Sequence, residues 1–229
     1  MFRSRIRLLE RARLVERQGS GRQALLALTP QGRLAAAGGV DAKQRWSRTW
    51  DGQWRMLVFD LPSFDRQARV RLWRWLRGER FGCLQHSVWI SPDPVEVARL
   101  PSRRGRVGPE SLAILEGRPL GSGSDLDLVN SAWEWARINQ AYQRCLDTLA
   151  AGPGLAADHD TRPARWRQWL ATEREAWLAA LAMDPLLPEA LLPAGYLGRR
   201  AWERRQAAFS ALARRGPGTE ATGGKGAAE

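Results

Sequence analysis

From Trp54 to Pro62 the chain runs Trp-Arg-Met-Leu-Val-Phe-Asp-Leu-Pro, an apolar strand stopped by a residue that cannot donate to a ladder. The next forty residues narrow the fold. Phe64 to Arg77 has helical spacing, with Ala68, Leu72, Trp75 and Leu76 inward and Arg66, Arg69, Arg74 and Arg77 outward, and Gly78 marks its end. Phe81 to His86 and Ser87 to Pro92 supply one or two strands. Asp93 to Leu100 is expected as a short helix with Asp93 as cap and Pro94 at its first position, and Leu112 to Leu115 as a last strand. The order is βαββαβ.

That order belongs to a ferredoxin-like sheet with helices on one face, here set between an N-terminal module and a helical C-terminal region in an α+β chain. Gly117 to Ser124 is a Gly/Ser/Pro linker, and beyond it the pattern is helical. Asp125 to Ala150 places Leu128, Ala132, Trp135, Ile138, Tyr142 and Leu146 on one face; Pro163 to Met183 does the same with Trp166, Trp169, Leu170, Trp177 and Leu181. Ten of the 12 tryptophans lie between Trp50 and Trp177, where they serve as core and interface filler. Asp184-Pro185-Leu186-Leu187-Pro188, Leu191-Leu192-Pro193 and Tyr196-Leu197-Gly198 come next along the chain. Their prolines forbid helix and make a rigid corner whose leucines must pack as knobs. The expected domains are residues 1–45, 46–120 and 121–213, with a disordered tail over 214–229.

The N-terminal module is read from three pieces. Ser4 to Val15 is an amphipathic helix, with Ile6, Leu9 and, one turn on, Arg13 and Leu14 at helical spacing and Arg3, Arg7 and Arg11 along another face. Leu14 to Gln18 and Gln23 to Leu28 flank Gly19-Ser20-Gly21-Arg22, a turn that suits a hairpin. Thr29-Pro30 then opens a short helix, Thr as cap and Pro at the first position. Helix, basic-tipped hairpin and short helix match the second half of a winged helix-turn-helix, so Arg3, Ser4, Arg5, Arg7 and Arg11 in the helix and Arg22 in the wing are the candidate DNA contacts. Arginine's planar fork suits guanine edges and phosphates. The module is read as incomplete, because such a domain buries its recognition helix under earlier helices.

Charge supports that reading by its location. Residues 1–48 carry eleven Arg and Lys against three acidic residues, a net +8, and residues 199–229 a net +4, while 49–198 is neutral within the total of +12. A basic module on a neutral body is what attraction to phosphate backbones requires. No apolar run approaches the ~20 residues needed to cross a bilayer, and the start is Arg-rich instead of a signal core, so the expected location is the cytoplasm without membrane association.

Three blocks resemble the PaaX family of phenylacetic-acid catabolism repressors. The first is the Arg-rich helix and wing closing in Leu28-Thr29-Pro30-Gln31-Gly32-Arg33. The second is Trp50-Asp51-Gly52-Gln53-Trp54 leading into Leu57 to Pro62, then Phe81-Gly82 and Ser87 to Pro92. The third is the proline corner, with Tyr196 where the family usually has Trp. The resemblance implies a homodimeric regulator, not an enzyme, that binds a palindromic operator in double-stranded DNA and is released by an acyl-CoA thioester. An effector pocket is expected between the sheet and the C-terminal helices, and no cofactor is expected.

The central segment also resembles the small ferredoxin-like nucleases of CRISPR spacer acquisition, in which an Asp ending the first strand meets its dimer mate around Mg²⁺. Asp60 holds that position, and a metal-dependent nuclease-like dimer is the alternative function. Asp60 as a cap or ion-pair partner is the competing reading. Cys83 and His86 would need two more ligands for zinc, and Cys145 and His159 lie elsewhere, so no metal or catalytic residue is assigned. No GxSxG, HExxH or Gly-rich phosphate loop occurs.

Overall fold

The computed structural model describes residues 2–19, 25–60, 66–100, 112–120, 123–152 and 162–213. The elements in order are α1 (Phe2–Arg11), β1 (Val15–Gln18), β2 (Leu25–Leu28), α2 (Pro30–Ala36), α3 (Ala42–Trp46), β3 (Trp54–Phe59), α4 (Arg66–Gly78), β4 (Gly82–Gln85), β5 (Val88–Ser91), β6 (Leu112–Gly117), α5 (Asp125–Ala132), α6 (Trp135–Ala150), α7 (Arg162–Met183) and α8 (Gly198–Ala213). Contacts group them into two compact units. One holds residues 1–134 together with Asp184–Ala194, and the other holds Trp135–Met183 with the residues from Gly195 onward.

The chain is α+β, and the centre of the first unit is a four-stranded antiparallel sheet in the order β4-β5-β3-β6. Each neighbour is antiparallel, with Leu57 opposite both Trp89 and Ile114. This is the strand order of a βαββαβ sheet, and β3 is central because its side chains are apolar on both faces. Leu57 and Phe59 point to one face and pack with Leu72 and Leu76 of α4, Phe81 and Trp89. The period-four apolar stripe of α4 makes that contact while Arg66, Arg74 and Arg77 stay exposed. On the other face Trp54 is buried, its Nε1 donating to Asp125 Oδ1 at 2.7 Å, with the rings of Trp50 and Trp133 at 5.5 and 6.4 Å.

Three expectations need correction. The segment after β5 does not form a helix capped by Asp93; its one helical turn is 3-10, Val97–Arg99. Asp93 is instead the anion for two arginines, accepting from Arg45 at 2.7 Å and from both Nε and a terminal nitrogen of Arg48 at 2.7 and 2.9 Å. The helix expected over 125–150 is two helices, because Trp133 takes an extended backbone, φ −128° and ψ 146°. Its ring then lies against Gly82, where any Cβ would run into it, so the glycine and the helix break answer one another. Finally, Leu170, whose spacing points inward on α7, is 38% exposed.

Residues Asp184–Ala194 of the proline corner belong to the first unit. Pro185 and Pro188 have no N–H, and a segment that cannot be helical leaves carbonyls without donors. Arginines supply them. Arg48 donates to Leu186 O at 2.5 Å, and Arg80 donates to Asp184 O. Asp184 accepts the Leu186 N–H at 2.7 Å, Leu186 takes the left-handed backbone at φ 50°, and Leu186, Leu187 and Leu191 are buried as the knobs the spacing predicts. Burial pulls the Arg48 pKa below its ordinary value, against the opposing pull of Asp93.

In the second unit α6 packs against both α7 and α8. Ile138, Ala141, Tyr142 and Cys145 of α6 are buried, Tyr142 meets Trp177 at 6.0 Å, and Arg205 of α8 donates to Glu173 of α7 at 2.6 Å. The Cys145 thiol is pushed up to about 11 by burial.

Replacing Arg48 by Ala leaves the Leu186 carbonyl and half of the Asp93 carboxylate without donors in a largely buried setting. The expected loss is about 2–3 kcal/mol of stability, read as a lower urea midpoint. Arg48→Lys is expected to recover less than half of it, since an ammonium cannot bridge both carboxylate oxygens while reaching Leu186.

Candidate nucleic-acid interface

The N-terminal module is built around Leu14. Helix α1 ends in a Schellman motif: Arg13 takes the left-handed backbone at φ 55°, its N–H reaches Glu10 O, and the Leu14 N–H reaches Leu9 O, both at 2.9 Å. That turn feeds the chain directly into β1, which pairs antiparallel with β2 from Val15 opposite Leu28 to Gln18 opposite Leu25. Thr29 then closes the module. Its hydroxyl donates to Arg13 O at 2.6 Å and accepts the Gly32 N–H at 2.9 Å as the cap of α2, while its own N–H donates to Leu14 O. Gly32 lies so near the Leu14 carbonyl that a Cβ has no room. The Thr-Pro-Gln-Gly spacing thus locks helix, hairpin and second helix through one carbonyl pair.

This frame sets what α1 presents. Ile6 and Glu10 face the hairpin side, half-buried, and Glu10 accepts from Arg17 of β1 at 2.7 Å. Ser4, Arg7 and Arg11 share the exposed stripe, with Arg3 at the same helical register; Arg5, also exposed, stands about 100° or more round the helix from them. The structure therefore brings Arg7 and Arg11 together with Ser4, and leaves Arg5 apart. Arg22 lies outside the described residues. Arg13 is not among the contacts expected from the sequence, yet it is exposed at the C-terminal end of the same helix. Its signal is present in the sequence as one more arginine after Arg11, hidden because the helical spacing runs on through it.

Apolar groups interrupt the basic surface. Leu8 is 66% exposed and Leu25 70% exposed, and Leu9, Leu26 and Leu28 are exposed as well. Arg33, by contrast, is spent on structure, donating to Leu28 O at 2.8 Å.

The other candidates behave as local structure. Asp60 stands exposed at the end of β3, and among the described residues no three His, Cys, Asp or Glu side chains gather as a metal site. Cys83 is half-buried, its thiol raised by burial, and His86 stacks on Trp73 at 5.9 Å; His159 lies outside the described residues. In the first unit, a cavity of about 180 Å³ is lined by Arg45, Trp75, Glu79, Phe81, Asp93 and Arg99 among others. It is ionic and well below the roughly 300 Å³ of small-molecule sites. Arg55, at the centre of β3, is buried and held by Asp51 at 2.5 Å, Glu116 at 2.9 Å and Pro92 O at 3.1 Å. The Asp51 hydrogen bond raises its pKa and lowers that of Asp51, so this arginine is an internal strut.

Comparison with known proteins bears on the body of the chain. Residues 47–129 match the PaaX protein central Cas2-like domain. The fold is similar to that of an uncharacterized protein from Mycobacterium tuberculosis, Rv0674, with a TM-score of 0.57 and 24% identity over 93% of this chain and 81% of that one. No curated protein matches the chain. No described helix is long and apolar enough to cross a membrane.

Arg13→Gly relieves a left-handed arginine worth about 1 kcal/mol, so the α1 amides are expected to exchange with solvent roughly five-fold more slowly. Gly32→Ala is expected to do the reverse, speeding exchange across β1, β2 and α2 because the methyl must displace the Leu14 backbone.

Proposed function

We propose that the chain, whose residues 47–129 match the PaaX protein central Cas2-like domain, is a regulator of that type and binds double-stranded DNA as a homodimeric transcriptional repressor in the cytoplasm. The genes it controls are those of aromatic-acid or phenylacetate-type catabolism, and an acyl-CoA thioester releases it. One observation carries the DNA-binding part: a net charge of +8 is concentrated in residues 1–48, where a capped helix holds Arg7 and Arg11 on one exposed stripe beside Ser4.

The chemistry is that of a helix offered to a groove. Arginine forks on successive turns, about 5–6 Å apart, reach either base edges or phosphates, and the hairpin tip with Arg22 supplies a second contact to the backbone. Leu8, Leu9, Leu25 and Leu28 are exposed apolar side chains on the same module. A metal-dependent nuclease remains the second reading through Asp60. It requires a second carboxylate from a dimer mate, and Mg²⁺-dependent DNA cleavage abolished by Asp60→Ala is the result that would establish it.

The test of the first reading is DNA binding as a function of salt, on mixed duplex and on the region upstream of the protein's own gene. The expected result is sequence-preferring binding whose affinity falls steeply with salt, with Arg7→Ala and Arg11→Ala each lowering affinity about ten-fold. A variant that loses a phosphate contact reduces the salt slope by about one; a variant that loses a base contact keeps the slope and relaxes sequence preference. Weak binding that ignores sequence and is indifferent to both variants refutes the reading.

A further inference from the structure

Helix α4 is charged in a way that the rest of its domain is not. Its 13 residues carry five arginines and no acidic side chain, while the remainder of residues 47–129 carries eight arginines against ten acidic residues. Among the described helices of ten residues or more, α4 alone has no Asp or Glu. Its inner side is settled by Leu72 and Leu76, buried against the sheet. The outer side presents Arg66, Arg71, Arg74 and Arg77, all exposed, with Val70 among them. At about 100° per residue these four arginines fall within an arc of about 140°, opposite the two leucines.

Other arginines of the domain are spent on structure. Arg48 holds Asp93, Arg55 holds Asp51 and Glu116, Arg99 meets Glu96 and Glu79, and Arg80 donates to Asp184 O. Arg66, Arg71 and Arg74 form no ion pair among the described residues, and Arg77 lies over the Trp89 ring at 6.0 Å. Arg71, Arg74 and Arg77 are spaced by three, which sets neighbouring side chains about 5–6 Å apart, and like charges at that spacing destabilise a helix. Arg66 stands in the first turn, where the helix dipole disfavours a cation. A face that only needed solvating would carry carboxylates as well. Four uncompensated cations on one stripe are a local cost, which a counter-charge from outside the chain offsets.

We infer that the outer face of α4 is a second contact for the phosphate backbone of duplex DNA, separate from that of α1 and the hairpin. Arg66 to Arg77 spans about 17 Å at about 1.5 Å per residue. One strand of a duplex carries a phosphate every ~3.4 Å of axis, so a face of that length runs past about five of them. Phosphates along a strand share one sign, and a row of four cations without an anion complements them throughout. A protein surface of mixed charge would set part of the row against its like. Guanidinium forks on phosphate oxygens add affinity and hold the protein in place without reading bases. The inference deepens the DNA-binding reading by naming a second surface for it, and rests on that reading for the choice of duplex DNA over other polyanions.

The test is duplex binding by the full chain across a salt series, for the unaltered protein, for Arg71→Gln with Arg74→Gln, and for Arg7→Gln with Arg11→Gln. The α4 pair is expected to lower affinity about ten-fold at low salt, to cut the slope of log affinity against log salt by about two, and to leave sequence preference intact. Arg71→Lys with Arg74→Lys keeps both charges and is expected to keep the slope. Removing two like charges from one helix is expected to leave the urea midpoint unchanged or raise it, so that lost affinity is not lost folding. A slope that ignores the α4 pair, while the α1 pair lowers sequence preference, overturns the inference and leaves the regulator reading standing. Binding that obeys the α4 pair, ignores the α1 pair and has no sequence preference sinks the regulator reading and leaves this contact standing. Poly-glutamate bound as tightly as duplex at equal charge, with the same loss in the α4 pair, overturns the choice of phosphate.

Discussion

The first unit depends on arginines that satisfy backbone carbonyls which proline has left without donors. Arg48 is the clearest case. Through one guanidinium it holds the Asp93 carboxylate with two hydrogen bonds and the Leu186 carbonyl with a third. Three segments far apart in sequence, α3, the exit of β5 and the proline corner, meet at that group. Lysine would bring the charge without the geometry, which makes the arginine-rich composition a structural matter as well as an electrostatic one. Arg55 repeats the device inside the sheet, joining β3 to β6 and to the exit of β5.

The N-terminal module uses a different lock. There the joint is made by backbone and one hydroxyl, Thr29 capping α2 while reaching back to Arg13, and by a glycine that lets α2 sit against the Leu14 carbonyl. A short helix and a four-residue hairpin are marginal elements in isolation. Joined this way, they hold α1 at a set angle to the hairpin, so that Arg7 and Arg11 project together. Arginines are thus divided between two jobs: Arg48, Arg55, Arg80 and Arg205 are consumed by carbonyls and carboxylates, and Arg5, Arg7 and Arg11 of α1 remain exposed.

The charge of the chain is divided by region. The positive excess lies in residues 1–48, while residues 47–129 match the PaaX protein central Cas2-like domain.

Much of this was legible along the chain because it is local. The apolar run ended by Pro62, the arginine stripe opposite Leu72 and Leu76, the Thr29-Pro30 cap and the proline corner are patterns of neighbouring residues, and each determined its own element. The charge excess at the N-terminus needed only counting. What the sequence could not determine were the meetings of distant residues. Asp93 looks like a helix cap until Arg45 and Arg48, more than forty residues earlier, are placed beside it. The helix after Asp125 looks continuous until Trp133 is drawn across Gly82 and Trp54. Arg13 looks helical until the turn into β1 requires a left-handed residue, and Leu170 looks buried until α6 and α8 are seen to occupy the other side of α7. In each case the local preference was overruled by a tertiary contact, because hydrogen bonds and apolar area gained across the fold outweigh the fraction of a kilocalorie per residue that propensity contributes.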